Sequence, residues 1–230
     1  MDFDVSVAGV FDLGRGCVKY RLSKPSGYVF EAGQYFLLRL GDRMMKPFSF
    51  SSGPAEGDFL EFTTKMSPSE YKLKLASLKA GDTVRVSSPM GRFTHNPAFK
   101  KVVFLAGGIG VTPFRSIIKK LTDERSDCDV ILIWGVNTVE DVVFKDDFDL
   151  MAKVNPRFRA VYVPMTPPSG WAGAGGLISG KIVRDEVPDI TERAFYVCGP
   201  PKMVEAMDAL LDSDLKVDKA RIIVEQFSGY

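Results

Sequence analysis

Cysteine, histidine and one-sided charge are scarce in this sequence. Its 230 residues hold three cysteines, Cys17, Cys128 and Cys198. An odd number, far apart, excludes a disulfide framework and a zinc site with paired cysteine spacing. Three are also too few for the four ligands of the common iron–sulfur clusters. Lys plus Arg is 30 and Asp plus Glu is 29, so the formal net charge is +1. That balance lacks the basic excess of a nucleic-acid binder, while leaving room for a local charged patch that docks a protein. The longest apolar stretch, Val102 to Thr112, is interrupted by glycine and is about half of the roughly 20 residues a membrane-spanning helix needs. The N-terminal Met1-Asp2-Phe3-Asp4 is acidic where a signal peptide is basic. The expectation is a cytoplasmic protein without a transmembrane segment. His95, the single histidine, falls near an interdomain linker and reads as a solvated loop residue rather than a base.

What is present falls into two rhythms. Up to about Asn96 the chain reads as short strands: Val5 to Val7, Cys17 to Leu22, Gln34 to Leu40, Asp58 to Met66 and Thr83 to Ser87, punctuated by Gly and Pro. That pattern indicates a closed antiparallel β-barrel, interrupted by one helix near Ser69 to Leu78 with Ser69 as N-cap. Met44-Met45 reads as the end of a hairpin. From about Lys100 strands alternate with helices, which indicates an α/β, doubly wound parallel sheet. Strands are expected at Lys101 to Ala106, Val130 to Trp134, Phe158 to Val163, Ala194 to Val197 and Arg221 to Glu225. Helices are expected from Thr112, as N-cap with Pro113 first inside, to Leu121, at Asp146 to Val154, and at Lys202 to Leu211. The domains are then 1–98 and 99–230. Asp146, Asp147 and Asp149 fall at a helix start, where acids complement the dipole, and are not read as a metal site.

Four segments carry candidate chemistry. Gly107-Gly108-Ile109-Gly110-Val111-Thr112-Pro113 follows a strand and opens a helix, where glycine lets backbone amides approach a phosphate and the helix end favours an anion. The lesser alternative is a tight turn without ligand. It is not the G-x-G-x-x-G fingerprint, and Gly135-Val136-Asn137 stand where an acidic residue would follow the second strand. Cys198-Gly199-Pro200-Pro201-Lys202-Met203 ends a strand and starts a helix, so Cys198 sits at the ligand-facing edge of the sheet; the alternative is a buried structural cysteine. Lys46-Pro47-Phe48-Ser49-Phe50-Ser51-Ser52 offers a cation, an aromatic face and hydroxyls, or is simply an amphipathic strand end. Glu225-Gln226-Phe227-Ser228-Gly229-Tyr230 closes the chain, or frays.

In this order the four segments resemble the ferredoxin–NADP reductase superfamily over nearly the whole chain. The resemblance implies an N-terminal barrel that binds FAD, a C-terminal domain that binds NAD(P)H, and an electron-transferring flavoprotein. Lys46-Pro47-Phe48-Ser49 looks like the family's Arg-x-Tyr-Ser, a cofactor-binding run that includes Pro47 and places Lys46 near the flavin phosphates, Phe48 against the isoalloxazine and Ser49 near the flavin N5. Thr64-Lys65-Met66 with Ser69-Glu70-Tyr71-Lys72 looks like a segment that holds the flavin pyrophosphate, through Thr64, Lys65, Ser69 and Lys72. Gly107, Gly108, Gly110, Thr112 and Pro113 match the family's G-G-x-G-x-T-P, and Cys198, Gly199 and Pro200 its C-G-P-P-x-M. Trp171, Gly173, Gly176 and Ile178 fit a loop near the nucleotide. Glu225 and Phe227 match a terminal acid and a flavin-stacking aromatic, with Tyr230 as rival for the ring.

By this resemblance Ser49, Cys198 and Glu225 are the catalytic group. Lys46 for Arg turns a bidentate clamp into a point charge, and Phe48 for Tyr loses a hydroxyl; each change weakens flavin binding by about 1 kcal/mol. No base stands at Gly135-Val136-Asn137-Thr138 or Pro164-Met165-Thr166, so NADH is expected over NADPH, with Lys202 and Arg115 as the cations that could reverse this. With no cluster of its own, the chain needs an external acceptor: a redox protein, free flavin or a ferric chelate. A non-catalytic nucleotide-binding or assembly subunit is the competing class, favoured by the altered Lys46 and Phe48.

Overall fold

The computed structural model describes residues 1–41 and 44–227. The first half is a six-stranded antiparallel sheet: β1 (Asp2–Asp12), β2 (Cys17–Ser23), β3 (Tyr35–Arg39), β4 (Met45–Ser49), β5 (Phe59–Lys65) and β6 (Thr83–Ser87), in the order β4-β3-β6-β1-β2-β5. The sheet curls until its two ends meet, where the Ser51 N–H, just past β4, donates to the Glu61 carbonyl of β5 at 2.8 Å. Inside lie Tyr20, Leu22, Phe36, Leu38, Phe50, Phe62 and Val86, all buried. The helix α1 (Glu70–Ala76) closes one end, capped by Ser69 as expected. It is anchored by two buried hydroxyls, Tyr20 to the Leu75 carbonyl at 3.0 Å and Tyr71 to the Leu38 carbonyl at 2.8 Å.

Two strands exceed the sequence reading. β1 runs eleven residues because its register shifts between Val7 and Gly9. Its first part pairs with β6 and its second with β2, and a bulge of this kind breaks the period-2 signal. β4 carries Pro47, which cannot donate to a ladder; it is tolerated because β4 ends the sheet.

The second half is a five-stranded parallel sheet ordered β11-β10-β7-β8-β9. Its strands are β7 (Lys101–Gly107), β8 (Asp129–Val136), β9 (Phe158–Pro164), β10 (Ala194–Gly199) and β11 (Ile222–Gln226). Helices α2 (Thr112–Asp123), α3 (Lys145–Val154), α4 (Gly180–Glu186) and α5 (Pro201–Ala209) connect them. Both faces are covered, Phe104, Trp134 and Tyr196 in one core and Leu105, Ile133 and Val197 in the other. This is why these strands read as unbroken apolar runs. The chain reverses direction across the sheet between β7 and β10, which puts the switch point at the ends of those two strands. α4 escaped the sequence reading: seven residues after a glycine-rich loop leave too little periodicity.

Two local expectations are corrected. Thr112 is not an N-cap: a tight 3-10 turn over Gly108–Val111 runs directly into α2, and the Thr112 hydroxyl donates back to the Ile109 carbonyl at 3.1 Å. His95 is half-buried, its Nε2 at 3.0 Å from the Phe99 carbonyl oxygen and 3.5 Å from Cys128 Sγ, and burial lowers its pKa. The linker around it is part of the second core: Phe93 packs on Phe114 and Tyr196, and the Asn96 N–H donates to the Tyr196 hydroxyl at 3.0 Å. Among the described residues no helix is long and apolar enough to cross a membrane.

Candidate functional site

Two adjoining cavities open along the cleft between the sheets. The larger, about 780 Å³, lies over the carboxyl ends of β7, β8 and β10. Its walls include Gly107, Gly108, Gly110, Asn137, Asp141, Met165, Gly199, Pro200 and Lys202 from the second domain, and Cys17, Lys65, Met66 and Ser67 from the barrel. The smaller, about 360 Å³, lies against β3 and β4 and is lined by Tyr35, Leu37, Lys46, Pro47, Phe48, Ser49, Ser69, Lys72, Thr112 and Glu225. Phe227 borders both, held by its backbone N–H on the Gly199 carbonyl at 3.0 Å.

The glycines of the larger cavity do two jobs. A Cβ on Gly110 would stand 2.5 Å from the Cys198 carbonyl oxygen, and one on Gly107 or Gly199 would stand 2.6 or 2.8 Å from Met203 Sδ. The G-G-x-G turn and the C-G-P-P-x-M turn therefore interlock; Gly110 is required by that contact because its Cβ would strike backbone, while Gly107 and Gly199 pack on the flexible Met203 side chain. Gly108 is the exception, with φ +51° and nothing near its missing Cβ. Its carbonyl accepts the Trp134 indole N–H at 2.8 Å, which fixes the turn while leaving that surface open for a ligand. Gly176 and Ile178 also face this cavity. Trp171 ties its indole N–H to the Ala174 carbonyl at 2.8 Å, and a Cβ on Gly173 would meet that indole.

The smaller cavity has a cationic end and an acidic end. Lys46 is exposed; Lys72 is buried, its ammonium bonded to the Thr64 hydroxyl and 5.0 Å from the Phe48 ring centroid. Burial, and then the neighbouring Lys46 ammonium, lower the Lys72 pKa to about 8. Phe48 packs 4.6 Å from Phe62 and is only 8% exposed, so it presents part of its ring to the cavity. At the other end Glu225 pairs in register with Cys198 across β10 and β11. Its Oε2 is buried without a hydrogen-bond partner, and burial raises the carboxyl pKa to about 7. Burial and the Glu225 charge push the Cys198 thiol well up.

The structure thus brings Lys46, Pro47, Phe48, Ser49, Ser69, Lys72, Thr112, Glu225 and Phe227 together, and Gly107, Gly108, Gly110, Gly199 and Pro200 beside them. Others fall elsewhere. Thr64 lines neither cavity and reaches the smaller one only through Lys72. Lys65 faces the larger cavity, 3.8 Å from Asp141. Cys198 and Pro113 are buried behind the walls. Arg115 is bonded to Glu56 and Asp147 and lines neither cavity, whereas Lys202 lines the larger one. Tyr230 lies outside the described residues. Among the described residues no cluster of ligating side chains fits a metal ion.

Sequence reasoning missed Asp141. It is folded back over the end of β8 by a capping box in which its carboxylate accepts the Thr138 N–H at 3.0 Å and the Thr138 hydroxyl at 3.2 Å. The Thr-x-x-Asp spacing of Thr138 and Asp141 was a readable signal for it.

A flat aromatic group carrying a diphosphate fits the smaller cavity's chemistry: aromatic and aliphatic walls, two ammonium groups, and serine hydroxyls. The larger cavity lies where open parallel sheets receive dinucleotides. Fold and site together define a two-domain class, an antiparallel barrel beside a parallel sheet with adjoining cavities in the cleft between them. Residues 104–209 match the family model described as the oxidoreductase NAD-binding domain. NADH-cytochrome b5 reductase 1 of Dictyostelium discoideum is 30% identical over 191 residues, 79% of this chain and 66% of that protein. The Amycolatopsis cytochrome P450 reductase GcoB is 28% identical with a TM-score of 0.83, over 98% of this chain and 70% of that one. A ferredoxin NADP+ reductase from Neisseria gonorrhoeae, solved with bound FAD and NADP, shares the fold at a TM-score of 0.82 and 21% identity, over 98% of each chain. The chain belongs to the ferredoxin–NADP reductase superfamily, oxidoreductases that bind FAD and NAD(P)H. It spans between about half and two thirds of the length of the first curated relatives it matches.

Proposed function

We propose that the chain is an NADH-dependent, FAD-containing reductase that passes electrons to an external redox protein. The observation that carries this reading is the junction at Phe227, where a cavity of flavin chemistry on β4 meets the nucleotide turn between β7 and α2. Bound FAD would supply the acceptance of a hydride and the release of single electrons, chemistry that no side chain provides.

The chain's own residues bind and orient. Lys46 and Lys72 balance the negative charge of a diphosphate, and Ser49 and Ser69 offer hydroxyls to its neighbours. Glu225 holds a proton below about pH 7 and a charge above it, in the smaller cavity and two residues before Phe227, which borders both. Cys198 acts from behind the wall through its contact with Glu225 and Gly110. Asp141 places a carboxylate in the nucleotide cavity, and Asn137 and Met165 add no cation at the ends of β8 and β9; both favour a nucleotide without a 2′-phosphate, against the cations Lys202 and Lys65, the latter 3.8 Å from Asp141. That relatives are named for cytochrome b5 and cytochrome P450 supports a protein acceptor. The non-catalytic alternative is disfavoured by an open flavin cavity that keeps its cations and its acid despite Lys46 and Phe48.

The test is an absorption spectrum of the purified protein, mass analysis of the released chromophore, and anaerobic addition of NADH. One FAD per chain, bleached by NADH and reoxidised by ferricyanide, is the expected result. No flavin, even after incubation with excess FAD, would sink the proposal.

A further inference from the structure

Arg115 lies one turn into α2, and its guanidinium is buried at the seam between the two domains. Its Nε donates to Asp147 of α3 at 3.1 Å. Its Nη2 donates to Glu56 Oε1 at 2.7 Å, while Nη1 donates to Glu56 Oε2 and to the Ser51 carbonyl, the latter at 2.9 Å. The next residue repeats the attachment: the Ser116 hydroxyl donates to the Ser52 carbonyl at 2.6 Å. Glu56 also accepts the Gly53 N–H at 2.7 Å, so the segment being gripped is itself braced.

The two ends of this grip matter. Residues 51–56 form a turned segment that follows β4 after Phe50, so they are tied through one residue to the strand that carries Lys46, Phe48 and Ser49. α2 starts from the Gly108–Val111 turn, and Thr112 lines the smaller cavity. The far side of the cleft is bridged thinly. Arg15 meets Glu140 at 3.4 Å with both side chains more than half exposed, and Lys65 stands 3.8 Å from Asp141. An exposed pair like the first holds little and the second is long, whereas a planar fork on a carboxylate fixes direction as well as distance. The rigid side of the interface is therefore the one at Arg115.

We propose that Arg115 is a positioning residue, whose fork on Glu56 sets the separation between β4 and the nucleotide turn and so aligns the two cofactors at Phe227. This rests on the proposed reductase function. A displacement of about 1 Å between reacting groups costs on the order of a hundredfold in rate, so loosening the fork should act on the reaction more than on either binding step.

The experiment compares flavin-loaded wild type, Arg115→Lys, Arg115→Met and Glu56→Gln. It measures flavin content, the NAD+ dissociation constant by spectral titration, and the rate of flavin reduction at saturating NADH. Flavin-free samples of each are then unfolded in a calorimeter. Glu56→Gln and Arg115→Met should keep flavin content, and NAD+ affinity within about twofold, while the saturating rate falls about tenfold or more. Arg115→Lys should lie between, since an ammonium can hold one carboxylate but not the fork. Wild type should unfold in one calorimetric transition, and Arg115→Met and Glu56→Gln in two. A rate within about twofold of wild type, or a loss confined to NAD+ binding, overturns the proposal. If Arg115→Met does not fold, Glu56→Gln decides. If NADH does not reduce wild type, the functional reading fails, and a single transition in Glu56→Gln then overturns the positioning role as well.

Discussion

Replacing Glu225 by glutamine removes a charge that the fold does not solvate, and the consequence can be worked through. In the folded chain the carboxyl sits beside Cys198 with Oε2 buried and without a partner, and its pKa rises from 4.5 to about 7. Between those values the folded chain holds a proton that the unfolded chain has released. Stability therefore falls as pH rises from about 4.5 to 7, and above 7 the full cost of the buried charge remains. At 1.36 kcal/mol per pKa unit the ceiling is about 3 kcal/mol. Local relaxation and water entry reduce this to a working figure of about 1–2 kcal/mol. Glu225→Gln keeps the shape without the charge, so it should raise the Tm of the flavin-free protein by about 2–8 °C at pH 8, and by much less at pH 5. Thermal unfolding of both proteins at the two pH values is the assay. An equal shift at both pH values, or destabilisation at pH 8, would refute the reasoning, because it would mean the carboxylate is solvated or paired. A strained carboxyl of this kind, kept at a cleft, is what pKa tuning for function looks like. Glu225→Gln should accordingly slow flavin reduction even as it stabilises the chain.

Other outcomes follow from the same geometry. Lys72→Met should weaken FAD binding about tenfold or more, the loss of one charge-assisted contact, with little effect on riboflavin, as fluorescence titration would show. In wild type FAD affinity should fall between pH 8 and 10.5, because Lys72 must regain a proton that the flavin-free protein releases near pH 8; affinity that is flat over that range would contradict this. Asp141→Asn should narrow the preference for NADH over NADPH by about tenfold, roughly 1.4 kcal/mol of repulsion removed, read as the ratio of kcat/KM for the two nucleotides. Phe227→Ala should perturb the flavin spectrum and tighten NAD+ binding by up to about tenfold, since a stacked ring that must move aside contributes about 0.5–1.5 kcal/mol. Unchanged spectrum and affinity would remove Phe227 from the junction.

The sequence by itself determined the two architectures and the order of their parts. Period-2 segments punctuated by glycine marked the barrel, and unbroken apolar runs before helices marked the parallel sheet, because burial on one face or on both leaves those periods in the chain. It also placed Ser69 as a cap and the glycine turns at strand ends, since caps and turns are local. Where local signals were broken, by the bulge between Val7 and Gly9 in β1, Pro47 in β4 and the shortness of α4, the elements were misjudged or missed. Only the tertiary structure decided which residues share a cavity. Thr64 and Lys65 are neighbours in sequence, yet one lies beneath Lys72 and the other faces the nucleotide cavity, because successive side chains of a strand point to opposite sides. Gly107 and Gly110, read as part of a phosphate turn, also pack against Met203 and Cys198, ninety residues or so along the chain. Asp141 entered the site by a fold-back after β8, and Arg115, a candidate for a phosphate, was taken up by Glu56 and Asp147 across the seam. Such pairings depend on how two separately legible domains dock. Docking is fixed by contacts between distant segments, for which no period in the sequence carries a record.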